Sequence, residues 1–196
     1  MLKTTAMLNQ ELNHFSNPGA AINRLVREKK LTNVRHGLYE TDAQTPGICL
    51  AMQIYGPSYL SFDFALAYYD LIPEAVTRFT SATFRKHKSK EYTTPFGIYS
   101  YRDVPDRAYP WGLVLNTQNT YPYLIASPEK AICDKLYTIS PLHNRKEMTT
   151  LLFDDLRIDP ALFSKLNRQK IMELASLYQT TNHRILISCL KGNNNA

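Results

Sequence analysis

Apolar positions in this chain first recur at helical spacing, then fall into short β-branched and aromatic runs, then return to helical spacing. Leu8, Leu12 and Phe15 share one helical face within residues 4 to 15, with Asn9, Gln10 and Asn13 elsewhere, which predicts a support helix. A second helix starts at Asn17-Pro18: the asparagine caps free first-turn amides, and proline at the first helical position has no needed N–H to lose. Along it Ala21, Ile22, Leu25 and Val26 occupy one arc, and Asn23, Arg24, Arg27 and Lys30 the opposite one. Leu31 to Val34 and Leu38 to Glu40 flank Arg35-His36-Gly37, where Gly37 supplies the positive φ of a tight, bulged hairpin. Thr41 to Gly47, closing on Pro46-Gly47, reads as a linker.

Beyond the linker, Ile48 to Tyr55 reads as a helix stopped by Gly56-Pro57. Ser61 is expected to cap the next helix, which is apolar nearly all round through Phe64, Ala65, Leu66, Tyr68 and Tyr69 and ends at Leu71-Ile72-Pro73-Glu74. Ala75 to Thr83, Glu91 to Thr94, Ile98 to Arg102, Gly112 to Asn116 and Tyr123 to Ala126 are rich in strand formers and separated by turn residues. They predict a small, mainly antiparallel sheet. Ser127-Pro128-Glu129 restarts helix, with Ile132, Leu136 and Ile139 as its apolar stripe. Residues 145 to 154, 160 to 178 and 183 to 191 also read as helices, and residues 193 to 196 as a frayed tail.

Charge changes the meaning of the first forty residues. Between residues 17 and 36 stand five basic side chains (Arg24, Arg27, Lys29, Lys30, Arg35) against one acid, Glu28. A cationic helix leading into a short basic hairpin is what a winged helix-turn-helix sets against duplex DNA, helix in the major groove and wing along the backbone. The alternative is a solvated helix face. The expected DNA-binding residues are Asn23, Arg24, Arg27, Lys30, Asn33, Arg35 and His36. The expected architecture is α+β. A winged helix-turn-helix module occupies residues 1 to 42, and an α+β domain of several helices and the small sheet occupies residues 47 to 192. About forty residues cannot hold a core alone, so the first module should rest on the second. Such modules usually have three helices; here either a break lies within residues 4 to 16 or the first helix is missing.

Composition sets the outer limits. With 196 residues, 44% of them hydrophobic, the chain has material for a real core. A net charge of +6 and an isoelectric point of about 9.2 favour an anionic partner without naming it. Met1-Leu-Lys is followed by polar residues, and no apolar run approaches the ~20 residues needed to cross a bilayer, so a cytoplasmic protein with no membrane partner is expected. Cys49, Cys133 and Cys189 are odd in number and widely spaced in apolar surroundings, which reads as small buried hydrophobes. A second basic stretch, residues 78 to 102, carries Arg78, Arg85, Lys86, Lys88, Lys90 and Arg102 against Glu91. It is a candidate for extending a DNA footprint or approaching RNA, with a solvated loop as the alternative.

Four motifs in order call up a family. Gly37-Leu38-Tyr39, the run Tyr59-Leu-Ser-Phe-Asp-Phe-Ala-Leu-Ala-Tyr-Tyr-Asp-Leu-Ile-Pro-Glu74, Thr80-Ser-Ala-Thr83, and Leu124-Ile-Ala-Ser-Pro-Glu-Lys-Ala-Ile-Cys-Asp134 together resemble the AbiEi-type abortive-infection antitoxins of bacteria. The likeness spans roughly residues 17 to 140. It implies an N-terminal winged helix-turn-helix that represses the protein's own operon at inverted repeats. It also implies a C-terminal domain that counteracts a nucleotidyltransferase-like toxin in type IV fashion, without a stable complex. Two departures stand out: Asp70 occupies the place where the family often has Gly before Leu-Ile-Pro, and the N-terminal module is short.

Enzymatic readings find little footing. Asp63, Asp70, Glu74, Glu129 and Asp134 form no recognised acid/base or magnesium spacing, and Glu28-Lys29-Lys30 lies in a helix where the acid-x-lysine of nucleases needs a strand. Asp154-Asp155 reads as a helix-surface pair. His14, His36, His87, His143 and His183 stand apart, with no His-Glu-x-x-His and no Cys-x-x-Cys, so no metal is expected. Neither a dinucleotide or Walker glycine loop nor a Gly-x-Ser-x-Gly elbow is present. The expectation is a non-enzymatic antitoxin and autorepressor without cofactor. Its alternatives are an interaction module that restrains a toxin without binding DNA and, last, a nucleic-acid-processing enzyme.

Overall fold

The computed structural model describes residues 1 to 192; the tail expected at residues 193 to 196 lies outside the described residues. The chain opens with β1 (Leu2–Thr4), α1 (Thr5–Glu11), α2 (Pro18–Arg27), β2 (Thr32–Arg35) and β3 (Leu38–Glu40). The strands form an antiparallel sheet in the order β1-β3-β2. Leu8, Ile22 and Leu31 make a small core with Leu12, Leu25, Val26 and Tyr39 around it. The support helix is shorter than its apolar spacing suggests. Thr4 caps it through Met7 N at 3.3 Å, and the preceding residues are a strand rather than a helical turn. Residues 4 to 16 therefore hold one helix and no hidden second one.

A 3₁₀ turn at Gly47–Leu50 and α3 (Ala51–Ile54) lead into the larger body, as the Ile48 to Tyr55 run predicts. There follow β4 (Ser58–Leu60), α4 (Phe62–Tyr68), β5 (Arg78–Thr83), β6 (Lys90–Thr94), β7 (Gly97–Asp103), β8 (Leu113–Asn116), β9 (Tyr123–Ala126) and α5 (Pro128–Tyr137). After these come α6 (Arg145–Thr150), a π turn at Leu151–Asp155, α7 (Pro160–Lys165), α8 (Arg168–Ser176) and α9 (Thr181–Gly192). The six-stranded sheet has the order β6-β7-β5-β4-β9-β8. Its β4–β5, β6–β7 and β8–β9 pairings are antiparallel, while β4–β9 and β5–β7 are parallel.

Several local expectations need correction. β4 carries no alternation to reveal it, because all three of its residues are buried. The strand expected from Ala75 starts only at Arg78. The single helix expected over 160 to 178 is two, divided where Leu166 turns extended and Asn167 caps α8 through Lys170 N at 3.0 Å. Ser61 stands at the N-cap of α4 but makes no cap hydrogen bond, because its hydroxyl donates to Asp134 instead.

That carboxylate is the centre of the larger body. Asp134 on α5 is fully buried and accepts from Ser61 Oγ at 2.6 Å, Tyr59 OH at 3.0 Å, Lys130 Nζ at 2.9 Å and Tyr178 OH. Lys130, one helical turn away and equally buried, also donates to Tyr178 OH. Burial, then the Asp134 charge, pushes the Tyr59 and Tyr178 phenols well above their usual range, so both remain donors. His183 stacks on Tyr178 with centroids 4.2 Å apart, and its Nε2 lies 2.9 Å from the Cys133 carbonyl.

Replacing Lys130 with Met strands the carboxylate, and unfolding in urea should show a loss of about 3 to 5 kcal/mol. The double variant Lys130→Met/Asp134→Leu should lose clearly less. Burial, opposed by the Cys133 carbonyl, pushes the His183 imidazole down from 6.5 to about 4. Between those values the unfolded chain binds a proton the folded chain does not, so stability falls as pH drops from about 6.5 toward 4, by at most ~3 kcal/mol. His183→Gln should flatten that slope in urea midpoints measured from pH 7.5 to 4.5.

Candidate nucleic-acid interface

α2 owes its start to Asn17, whose Oδ1 accepts from Ala20 N at 3.0 Å, and to Pro18 at the first helical position. Ala21 and Ile22 are buried, while Asn23, Arg24 and Arg27 are exposed. Apolar side chains thus pin one flank and leave guanidinium groups on the other. Arg24 Cζ stands 5.4 Å from the Phe15 ring centroid, and its Nε lies 3.9 Å from Glu28.

Lys30 does not continue this arc. The helix ends at Arg27, Lys29 adopts φ 58°, and the amides of Lys30 and Leu31 return to the Leu25 carbonyl at 3.0 and 3.2 Å. This left-handed closure, made without glycine, drives Leu31 into the core and takes Lys30 off the helix, where it pairs with Glu28 at 2.8 Å. Lys30, first through its hydrogen bond and then through its charge, holds the Glu28 carboxyl below the usual range. Arg27 and Arg35 have no carboxylate partner among the described residues.

The hairpin follows its expected form. Gly37 takes φ 77°, and the β2–β3 register shifts between Asn33 and Arg35. Val34, the residue within that bulge, is buried in the main core together with Leu38. Asn33, Arg35 and His36 remain exposed. Glu40, buried at the end of β3, accepts from Tyr121 OH at 2.6 Å and Asp42 N at 3.0 Å. The hairpin is therefore seated on the larger body, with its cations turned to solvent.

The second basic stretch divides into two groups. Arg78, Lys90 and Arg102 line a groove of about 500 Å³ at the β6-β7-β5 end of the sheet. Lys135 of α5 joins them there, held by Asp63 at 2.6 Å, while Arg78 pairs with Glu91. Sequence reasoning missed Lys135, because only the packing of α4 on α5 brings it to the sheet. Arg85 instead pairs with Asp106 at 2.6 Å, Lys86 Nζ lies 5.1 Å from the Tyr55 ring centroid, and Lys88 is exposed in the same loop.

The acids considered for catalysis are mostly partnered. Asp63, Glu74, Glu129 and Asp134 pair with Lys135, Arg157, Lys170 and Lys130 respectively. Among the described residues no three His, Cys, Asp or Glu side chains gather as a metal site, and no helix is long and apolar enough to cross a membrane. Cys49 and Cys133 are buried and Cys189 is partly so, all three with free thiols. Tyr59, Tyr99, Tyr101 and Tyr123 lie in the core rather than on a stacking surface. Comparison with protein-family models and with curated proteins finds no match to this chain.

The cap at Asn17 sets where the basic helix begins. Asn17→Ala should cost about 1 kcal/mol in chemical denaturation while leaving the far-UV circular dichroism spectrum unchanged.

Proposed function

We propose that this protein is an antitoxin of the AbiEi type that binds its own operator DNA and represses its operon. The observation that carries the reading is a set of exposed side chains of chemistry suited to a duplex, on two consecutive elements. Asn23, Arg24 and Arg27 lie on a helix whose other side is packed, and Asn33, Arg35 and His36 lie on the hairpin that follows. In this reading α1 and α2 are the helix-turn-helix, α2 is the recognition helix, and β2–β3 is the wing, in an abbreviated module with two helices. Asn23, Arg24 and Arg27 face base edges, and Arg35 and His36 face phosphate. Lys30 contributes charge from beside the helix end.

The resemblance extends the reading. It supplies an operator of inverted repeats, a nucleotidyltransferase-like toxin counteracted without a stable complex, a cytoplasmic setting and a non-enzymatic role. One structural detail supports it. Asp70 adopts φ 56°, a conformation glycine takes freely, at the position where the family often has glycine. The groove of Arg78, Lys90, Arg102 and Lys135 serves as a second contact with nucleic acid backbone in the same reading.

The test is fluorescence anisotropy with duplex DNA from upstream of the gene. Arg24→Ala or Arg27→Ala should weaken binding by about 1 to 3 kcal/mol where the arginine reads a base, and Arg35→Ala should lower the salt slope by about one counterion. Unchanged affinity and slope in all three variants removes α2 and the hairpin from the interface. Co-purification of a neighbouring gene product with no operator binding would favour an interaction module instead.

A further inference from the structure

Residues 108 to 128, from Ala108 to Pro128, contain no Asp, Glu, Lys, Arg or His, in a chain of which 20% is charged. Within this stretch lies β8, the outermost strand of the six-stranded sheet; among the described residues it pairs with β9 alone. Val114 is 44% exposed and Leu115 61% exposed. Neighbouring strand residues point to opposite faces, so each face of this edge carries one exposed aliphatic side chain. Trp111, on the approach to β8, is 59% exposed.

The opposite edge of the same sheet is built differently. β6 carries Lys90 and Glu91, both exposed, and the side chains of an edge strand that are charged resist pairing with another chain. β8 has no such guard, and alternate residues of an antiparallel edge present unpaired N–H and C=O groups outward.

We propose that β8 is a self-association edge, at which a second copy of this chain pairs β8 to β8 in antiparallel fashion and extends the sheet from six strands to twelve. Charge selects the occupant. Two copies at +6 each repel over most of their surfaces, and the charge-free segment is where they meet without that cost. A partner of opposite charge would be drawn to the basic helix or groove instead. The geometry is also self-complementary. A twofold axis normal to the sheet and centred on this four-residue strand sets Val114 and Leu115 of one copy beside the same two residues of the other, so a charge placed at either lies close to its like. A contact this short falls at the small, transient end of the range of protein interfaces, which gives association at micromolar concentrations. The inference does not rest on the DNA reading, and its test contains no nucleic acid.

The experiment is sedimentation velocity on the full chain from about 1 to 200 µM, paired with the emission of Trp111, the one tryptophan in the sequence. The wild type should pass from monomer to dimer as concentration rises, with a blue shift of Trp111 emission over the same range. Leu115→Lys and Val114→Lys should each weaken the dimer by at least about tenfold. Both side chains are exposed, so their melting temperatures should match the wild type. Lys90→Ala, on the other edge, should leave the dimer intact. A wild type that stays monomeric throughout overturns the proposal. So does a dimer that forms without a change in Trp111 emission, or one that persists in both lysine variants.

Discussion

A carboxylate removed from water must have its oxygens occupied, and Asp134 meets that demand with donors drawn from four separate places in the chain. Tyr59 comes from β4, Ser61 from the turn into α4, Lys130 from one turn back on α5, and Tyr178 from beyond α8. Tyr59, Ser61 and Tyr178 each fix the distance between their own segment and α5, while Lys130 supplies the opposite charge from within that helix. The group therefore acts less as a source of net stability than as a gauge that only one packing of sheet on helices satisfies. The serine left without its capping role and the phenols held protonated both follow from this one buried charge.

Outside the core the charges are sorted. On the larger body Asp63, Glu74, Glu91, Asp106 and Glu129 each pair with a nearby cation, while Arg27 and Arg35 on the small module are exposed and make no ion pair among the described residues. Glu28 is the acid within that module's basic surface, and Lys30 and Arg24 both approach it. A phosphate backbone would compete with one carboxylate for those two cations and meet no carboxylate at the other two.

Much of this was legible in the residues. Asn17-Pro18 and Ser127-Pro128 announce helix starts because capping and the proline ring act locally, and both caps form. Gly37 announces its turn for the same reason. What stayed hidden depends on partners distant in sequence. The three residues of β4 are buried on every side and show no alternation, and β1 is a strand only because β3 lies beside it. Helical spacing extends indefinitely on paper and carries Lys30 onto the cationic arc, whereas burial of Leu31 ends the helix at Arg27. Lys135 entered the groove through helix packing, which no spacing encodes.

The bulge in the hairpin carries a consequence for how the molecule comes apart. Val34 and Leu38 leave the small module and enter the main core, and Tyr121 reaches back to Glu40. Peeling the hairpin away would expose both aliphatic side chains and leave Glu40 without its phenol. Opening of the hairpin is thereby coupled to the main core, and the pitch at which Arg35 and His36 are presented is set by the body beneath them.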